Sequence, residues 1–236
     1  MIVVENLHKR FGKNNVLVDL NLSIQKPGIF AVLGPNGSGK TTLIKSILGM
    51  TIPDKGTIQL GGENIKKKWR YREEIQYLPQ IATFPGNLRV IELIKMIKDM
   101  RKSESKEKDL IQLFGLEPFL KKRLSTLSGG TKQKVNVVLA FMFDSPMVIL
   151  DEPTTGLDPQ AMIHLRGLIR QEKERGKTIL ITSHIMQFVE EIADEVIYLL
   201  EGKIYFKGSL EALREKTGQA DLEHAIAAIT SVEIHV

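Results

Sequence analysis

Apolar positions follow two rhythms along this chain. Three short unbroken runs, Ile29-Phe30-Ala31-Val32-Leu33, Met147-Val148-Ile149-Leu150 and Thr178 to Thr182, read as strands buried on both faces. Val16 to Ile24 instead alternates apolar and polar, as a half-buried strand does. Met1 to Leu7 reads as a strand, and His8 to Lys13 as a turn carrying one aromatic, Phe11. Pro27-Gly28 marks a turn. Thr51 to Ile65 is strand-like but broken by Pro53-Asp54-Lys55-Gly56 and by Gly61-Gly62. With the first strands it predicts a small antiparallel sheet beside the core. Ile75 to Leu78 is a further short strand, ended at Pro79-Gln80.

Helical spacing fills the gaps. Leu43 to Leu48 predicts a helix stopped at Gly49. From 87 to 127 the character changes: Val90, Leu93, Ile94 and Ile97 share a helical face, as do Leu110, Leu113 and Phe114, with the charged stretch Lys102 to Lys108 between them. A further helix is expected from about Gly130 to Phe143. Together these predict a helical insertion, about 82–145, into a parallel-sheet core. After Pro146 strand and helix alternate again. Asp158-Pro159 reads as an N-cap and first-turn proline opening a helix to about Arg175. Ile185, Phe188, Val189 and Ile192 form a core-facing stripe. Glu195–Leu200 and Lys203–Lys207 pair around Glu201-Gly202 as a hairpin. A mostly helical tail, about 209–236, follows. The expected class is α/β.

Composition narrows this only a little. A chain of 236 residues suffices for one large domain or a domain with a subdomain. The absence of cysteine removes disulfides, thiolate metal sites and Cys nucleophiles. A net charge of +5 suits a nucleotide or an anionic surface without requiring nucleic acid. The basic run Lys66-Lys67-Lys68 reads as a solvated loop, with a contact to anionic lipid or a partner as the alternative. The longest apolar run, Val135 to Phe143, is too short for a membrane span and contains Asn136. The N-terminus lacks the layout of a secretory signal, so a soluble, intracellular protein is the expectation.

The chemistry starts from Gly34-Pro35-Asn36-Gly37-Ser38-Gly39-Lys40-Thr41-Thr42, which fits the phosphate-loop pattern between a buried strand and a helix. Gly34, Gly37 and Gly39 let backbone N–H groups converge on an anion, with Asn36 and Ser38 in the same curl. Lys40 supplies charge for the β/γ-phosphates, and Thr41 a hydroxyl for Mg²⁺. The loop alone implies a nucleoside triphosphate with Mg²⁺. Asp151 and Glu152 end an apolar strand, where α/β sheets hold ligands. Asp151 suits the metal side, and Glu152 can orient or deprotonate water. Ser128-Gly129-Gly130 at a helix start is a second anion cradle, which one nucleotide cannot easily share with the first inside one subunit. That points to contribution by a neighbouring copy; the plain alternative is a Gly-rich helix entry.

Gly34–Thr42, Gln80, Leu127-Ser128-Gly129-Gly130, Val148–Pro153, Gly156-Leu157-Asp158 and Ser183-His184 occur in one order. In this the chain resembles, over essentially its whole length, an ATP-binding-cassette (ABC) ATPase, the nucleotide-binding subunit of a membrane transporter. The resemblance implies a phosphate-loop NTPase core with a parallel sheet, an N-terminal antiparallel β subdomain and an inserted helical subdomain. It implies that Phe11 stacks on adenine and that Gln80 is the lid glutamine reaching Mg²⁺ or the water. Ser128, Gly129 and Gly130 would grip the other copy's ATP, Asp158 would cross the dimer or cap its helix, and His184 would touch the γ-phosphate. It further implies an ATP-dependent homodimer with integral membrane permease subunits at the inner face of the cell membrane, and no nucleic acid.

The signature departs from the common pattern at Thr131. Thr131-Lys132-Gln133-Lys134-Val135-Asn136, with Tyr77–Ile81, Phe84-Pro85 and Met96–Asp99, resembles the branch serving maturation of nitrous-oxide reductase, a copper enzyme. With no cysteine and no paired histidines, the chain itself is not expected to bind copper. The rivals are a non-transport ABC protein of DNA repair or translation, disfavoured by the single cassette without a coiled coil, and a nucleotide-dependent scaffold without turnover. Lys40→Ala should weaken ATP binding in a direct titration; unchanged affinity would contradict the loop assignment.

Overall fold

The computed structural model describes residues 1–101 and 103–233; Lys102, within the charged stretch, and residues 234–236 of the tail lie outside the described residues. In chain order the strands are β1 (Ile2–Phe11), β2 (Asn14–Ile24), β3 (Gly28–Leu33), β4 (Lys55–Leu60), β5 (Glu63–Asn64), β6 (Ile75–Leu78), β7 (Met147–Asp151), β8 (Thr178–Thr182), β9 (Glu195–Leu200) and β10 (Lys203–Gly208). The helices are α1 (Lys40–Ile47), α2 (Val90–Arg101), α3 (Glu107–Leu113), α4 (Gly129–Phe141), α5 (Pro159–Glu174), α6 (Met186–Ile192), α7 (Leu210–Thr217) and α8 (Leu222–Glu233).

Two sheets result. One is antiparallel, in the order β2-β1-β4-β5. The other runs β10-β9-β3-β8-β7-β6, parallel throughout except for β10 at its edge. Among the described residues no helix is long and apolar enough to cross a membrane.

Strands β3, β7 and β8 carry unbroken apolar runs because both faces of the parallel sheet are covered. Phe30 and Val32 of β3 face α1 and the antiparallel sheet, packing with Leu43, Ile44 and Ile47. Ile29 faces the opposite way, toward α5 and α4, while Ala31 and Leu33 meet the tail helices through Leu213, Leu222 and Ala225. Period-two alternation thus sorts one strand's side chains between three clusters.

Sequence and structure differ at the edges of elements. His8 to Phe11 continue β1 rather than turning, pairing across to β2 with Lys9 opposite Leu17 and Phe11 opposite Asn14. Arg10 and Phe11 are exposed, and the half-buried His8 and Lys9 are polar, so the backbone ladder extends past the point where hydrophobic alternation can report it. Thr51 to Asp54 form no strand. That segment is held against the end of β1 by Lys9 Nζ on the Ile52 carbonyl (2.7 Å) and by the Arg10 N–H on Asp54 Oδ2 (2.7 Å). The helix expected from Gly130 to Phe143 begins one residue earlier and ends at Phe141.

A buried ion cluster ties the helical insertion to the sheet core. Glu172 of α5 has no exposed surface; it meets Lys106 at the start of α3 (2.6 Å), Arg175 (3.0 Å) and Lys177. Burial alone would raise its carboxyl pKa, but hydrogen bonds from Lys106 and Lys177 outweigh that and hold it below the usual range. Glu172→Ala should cost about 1.5–3 kcal/mol at neutral pH, the range for losing charged hydrogen bonds, because Lys177 keeps its pair with Asp144. A group with a lowered folded pKa stabilises above its unfolded value of about 4.3. The stability gap between parent and variant in urea unfolding should therefore persist above that pH and close as pH falls through the folded value.

Candidate active site

The phosphate loop begins where β3 ends. Gly34 has φ +148°, and a Cβ there would lie 2.0 Å from the Leu199 carbonyl oxygen of β9, so no larger residue fits. The loop then curls: the Ser38 N–H donates to the Pro35 carbonyl (3.2 Å), and the Gly202 N–H of the β9–β10 turn donates to the Ser38 carbonyl (3.0 Å). Helix α1 opens at Lys40 with no side-chain cap and no acidic residue in its first turn. Its N-terminal N–H groups face the cleft. Ser38 Oγ is buried without a hydrogen-bond partner among the described residues. Both features fit an anion.

Lys40 Nζ donates to the carbonyls of Gly34 (2.7 Å) and Pro35 (3.0 Å), which fold the side chain back over the loop. Burial lowers its pKa, against the opposing attraction of Glu152 and Asp151.

The facing wall comes from β7 and β8. Asp151, 2% exposed, ends β7, and its Oδ1 accepts from Thr182 Oγ1 (2.6 Å). The same hydroxyl accepts from the Glu152 N–H (2.9 Å), while the Thr182 carbonyl lies 3.2 Å from that N–H. Glu152 stands at φ +51°, in the left-handed region that bulky side chains avoid. The two bonds from its N–H to Thr182 hold it there. Glu152 Oε2 is 2.7 Å from His184 Nδ1, and the imidazole itself is mostly exposed. Burial, with Asp151 nearby, pushes the Tyr77 hydroxyl up to about 12.

These walls enclose a cleft of about 250 Å³ lined by Asn36, Gly37, Gly39, Lys40, Thr41, Thr42, Gln80, Asp151, Glu152 and Val16. A larger hollow of about 700 Å³, bordered by residues from Leu60 to Glu74, contains none of them. The smaller cleft is the better site because it joins an anion-binding loop to two carboxylates. The oxygen donors of Thr41, Gln80 and Asp151 suit Mg²⁺.

The remaining expected residues stand apart from the cleft lining. Phe11 is exposed at the β1–β2 turn, with Lys9 Nζ 5.2 Å from its ring centre. Ser128 caps α4, its Oγ accepting from the Thr131 N–H (3.3 Å) and lying 2.9 Å from the Thr131 hydroxyl. A Cβ on Gly130 would sit 2.6 Å from the Gly156 carbonyl, so the helix entry and the Asp158 loop touch backbone to backbone. Asp158 caps α5 through the Ala161 N–H (2.9 Å) and pairs with Lys134 (2.6 Å). Sequence reading missed Val16 and Thr182. Both lie within strand patterns that signal burial, and nothing local marks them as part of a site.

Comparison with known proteins fits this arrangement. The family described as ABC transporter matches residues 17–155. Nod factor export ATP-binding protein I of Burkholderia lata is 36% identical over 216 residues, 89% of this chain and 71% of that protein. Lantibiotic transport ATP-binding protein SrtF of Streptococcus pyogenes is 33% identical over 227 residues, 94% of each. The solved structure of an ATP-binding subunit of an ABC transporter superposes with a TM-score of 0.90 at 30% identity, covering 98% of this chain and 99% of that one. A dimeric cassette in a post-hydrolysis state with ADP and Pi shares the fold, with a TM-score of 0.80 at 23% identity over 89% of this chain and 99% of its own. The chain belongs to the ABC transporter ATP-binding family. Its enzyme class is that of an ATPase.

Thr182→Val removes both hydroxyl bonds while keeping the side chain's shape. Turnover should fall about ten- to hundredfold, each tenfold corresponding to about one hydrogen bond. ATP affinity should stay near that of the parent, as a steady-state assay with a nucleotide titration would report.

Proposed function

We propose that the chain, over 1–236, is one nucleotide-binding domain that hydrolyses ATP to drive separate membrane-spanning subunits. Residues of about 82–145 form its helical subdomain, and about 209–236 its tail, with helices at Leu210–Thr217 and Leu222–Glu233. The observation that carries this reading is a single cleft in which the phosphate loop, Gln80, Asp151 and Glu152 converge, with His184 hydrogen-bonded to Glu152. In this reading the loop N–H groups, Lys40 and Thr42 bind the phosphates. Thr41, Asp151 and Gln80 would hold Mg²⁺, which supplies charge neutralisation for the transferred phosphoryl group. Glu152 orients and deprotonates the attacking water, and its hydrogen bond to His184 fixes the carboxylate's direction. Such transfer depends on positioning and electrostatics rather than on a covalent intermediate.

Phe11 is solvent-accessible and can accept an adenine face. Ser128, Gly129 and Gly130 lie outside the chain's own cleft, which suits a head-to-tail homodimer where each copy's signature closes on the other's ATP. The exposure of Trp69, Ile81 and Met100 fits a permease subunit as partner. The domain would then sit on the cytoplasmic face of the membrane. The finer reading, a transporter serving nitrous-oxide reductase maturation, is supported by the Thr131–Asn136 segment of the signature helix.

Glu152→Gln should slow turnover by about 10²–10⁴-fold, the usual worth of a positioned base. It should leave ATP binding intact and shift the protein toward a dimer in Mg·ATP, read by size-exclusion chromatography with light scattering. Near-parental turnover would remove Glu152 from its role. The same variant, tagged and captured with Mg·ATP from detergent-solubilised membranes of its source, should retain a polytopic membrane protein in near-equal amount. Recovery of soluble partners or nucleic acid alone would favour a repair or translation ATPase.

A further inference from the structure

Helix α4 carries two buried amides on one face, Gln133 (8% exposed) and Asn136 (3% exposed), three residues apart. An amide inside an apolar helix contact is costly unless every polar atom finds a partner. Here the partners are not on neighbouring helices. Asn136 Nδ2 donates to the Pro79 carbonyl (3.1 Å) and to Gln133 Oε1 (3.4 Å), while Gln133 Nε2 donates to the Pro153 carbonyl (3.1 Å). The result is one unbroken chain of hydrogen bonds from the residue before Gln80 to the residue after Glu152. Both ends are prolines, whose backbones carry no N–H and have a fixed φ. Pulling on either carbonyl therefore moves a stiff segment adjoining a cleft residue. At its N-terminus the same helix bears Ser128 and abuts Gly156, and from its next turn Lys134 pairs with Asp158.

We propose that Asn136 is a positioning residue for ATP hydrolysis: through the Pro79 carbonyl it holds Gln80 at the cleft, and through Gln133 it links that loop to the Glu152 loop. The two loops then move together with the signature helix. A shift of α4 breaks or remakes both bonds, so the state of the signature is communicated to both sides of the cleft. Because one amide, that of Asn136, donates to both the Pro79 carbonyl and Gln133, its loss releases both links at once. The inference rests on the role given to Gln80 under Proposed function.

The test is a double-mutant cycle on steady-state ATPase, with ATP affinity measured separately. Asn136→Ala should lower kcat roughly tenfold, the kinetic equivalent of one buried hydrogen bond. Its ATP affinity should stay within about twofold of the parent's, a difference well under one hydrogen bond's worth. In a Gln80→Ala background the effect of Asn136→Ala should be several-fold smaller, because one of the two loops it ties has lost its working side chain and only the link through Gln133 remains. Asn136→Ser, one bond shorter and unable to reach Pro79, should show the same pattern and serves if the alanine variant does not fold. An equal fold loss in both backgrounds would make Asn136 merely structural and overturn the proposal, as would an unchanged kcat in the single variants. Parental turnover in Gln80→Ala alone would instead overturn the Gln80 role, and the coupling through Pro79 with it. That outcome is distinct from a Gln80→Ala defect to which Asn136→Ala simply adds.

Discussion

Everything at the cleft depends on how tightly the phosphate loop is seated on the parallel sheet. Gly34 leaves β3 with no space for a side chain against the Leu199 carbonyl, and the Gly202 N–H clasps the Ser38 carbonyl from the β9–β10 turn. The loop therefore has one path. That path opens α1 into the cleft and folds Lys40 back over the Gly34 and Pro35 carbonyls. Strands β7 and β8 end at the same edge of the sheet, because parallel strands bring their C-termini to one side. The anion-binding wall and the acidic wall thus meet by topology rather than by any local preference.

On the acidic wall one hydroxyl does two jobs. Thr182 donates to Asp151 and accepts from the Glu152 N–H, and so fixes two neighbouring carboxylates in different environments. Asp151 is sequestered. Glu152 is turned outward through a left-handed backbone, with its carboxylate on His184. Two adjacent acids at a strand end would otherwise point to opposite faces, since strand side chains alternate. The left-handed residue lets both serve the same cleft.

The helical insertion is attached to the core at two kinds of contact. The Glu172 cluster and the apolar packing of α4 and α5 anchor its far end. Near the cleft, the bonds from Gln133 and Asn136 to Pro153 and Pro79 are directional and few. Apolar packing tolerates small sliding; a directional bond to a backbone carbonyl does not. The insertion is therefore built to be firmly attached while remaining sensitive to movement at the place where movement reaches the site.

The sequence by itself determined the class of the fold and picked out the 34–42 loop, Asp151 and Glu152, which the fold brings to one cleft. Those features are local: unbroken apolar runs, turn residues and a glycine-spaced loop have the same meaning wherever they occur. It also separated the helical insertion from the sheet core through the change of period. Other features were decided only by tertiary structure. Strand β1 runs on through the polar residues His8 to Arg10 to the exposed Phe11 because its partners supply ladder bonds, which hydrophobicity does not record. Thr182 looked like the last residue of a buried strand, and Asn136 like a break in an apolar run. Their contacts arise because chain segments 31 and 57 residues away in sequence, at Asp151 and Pro79, present an acceptor at the right distance. Hydrogen bonds between distant segments leave no periodic trace in the sequence, so only the folded arrangement shows them.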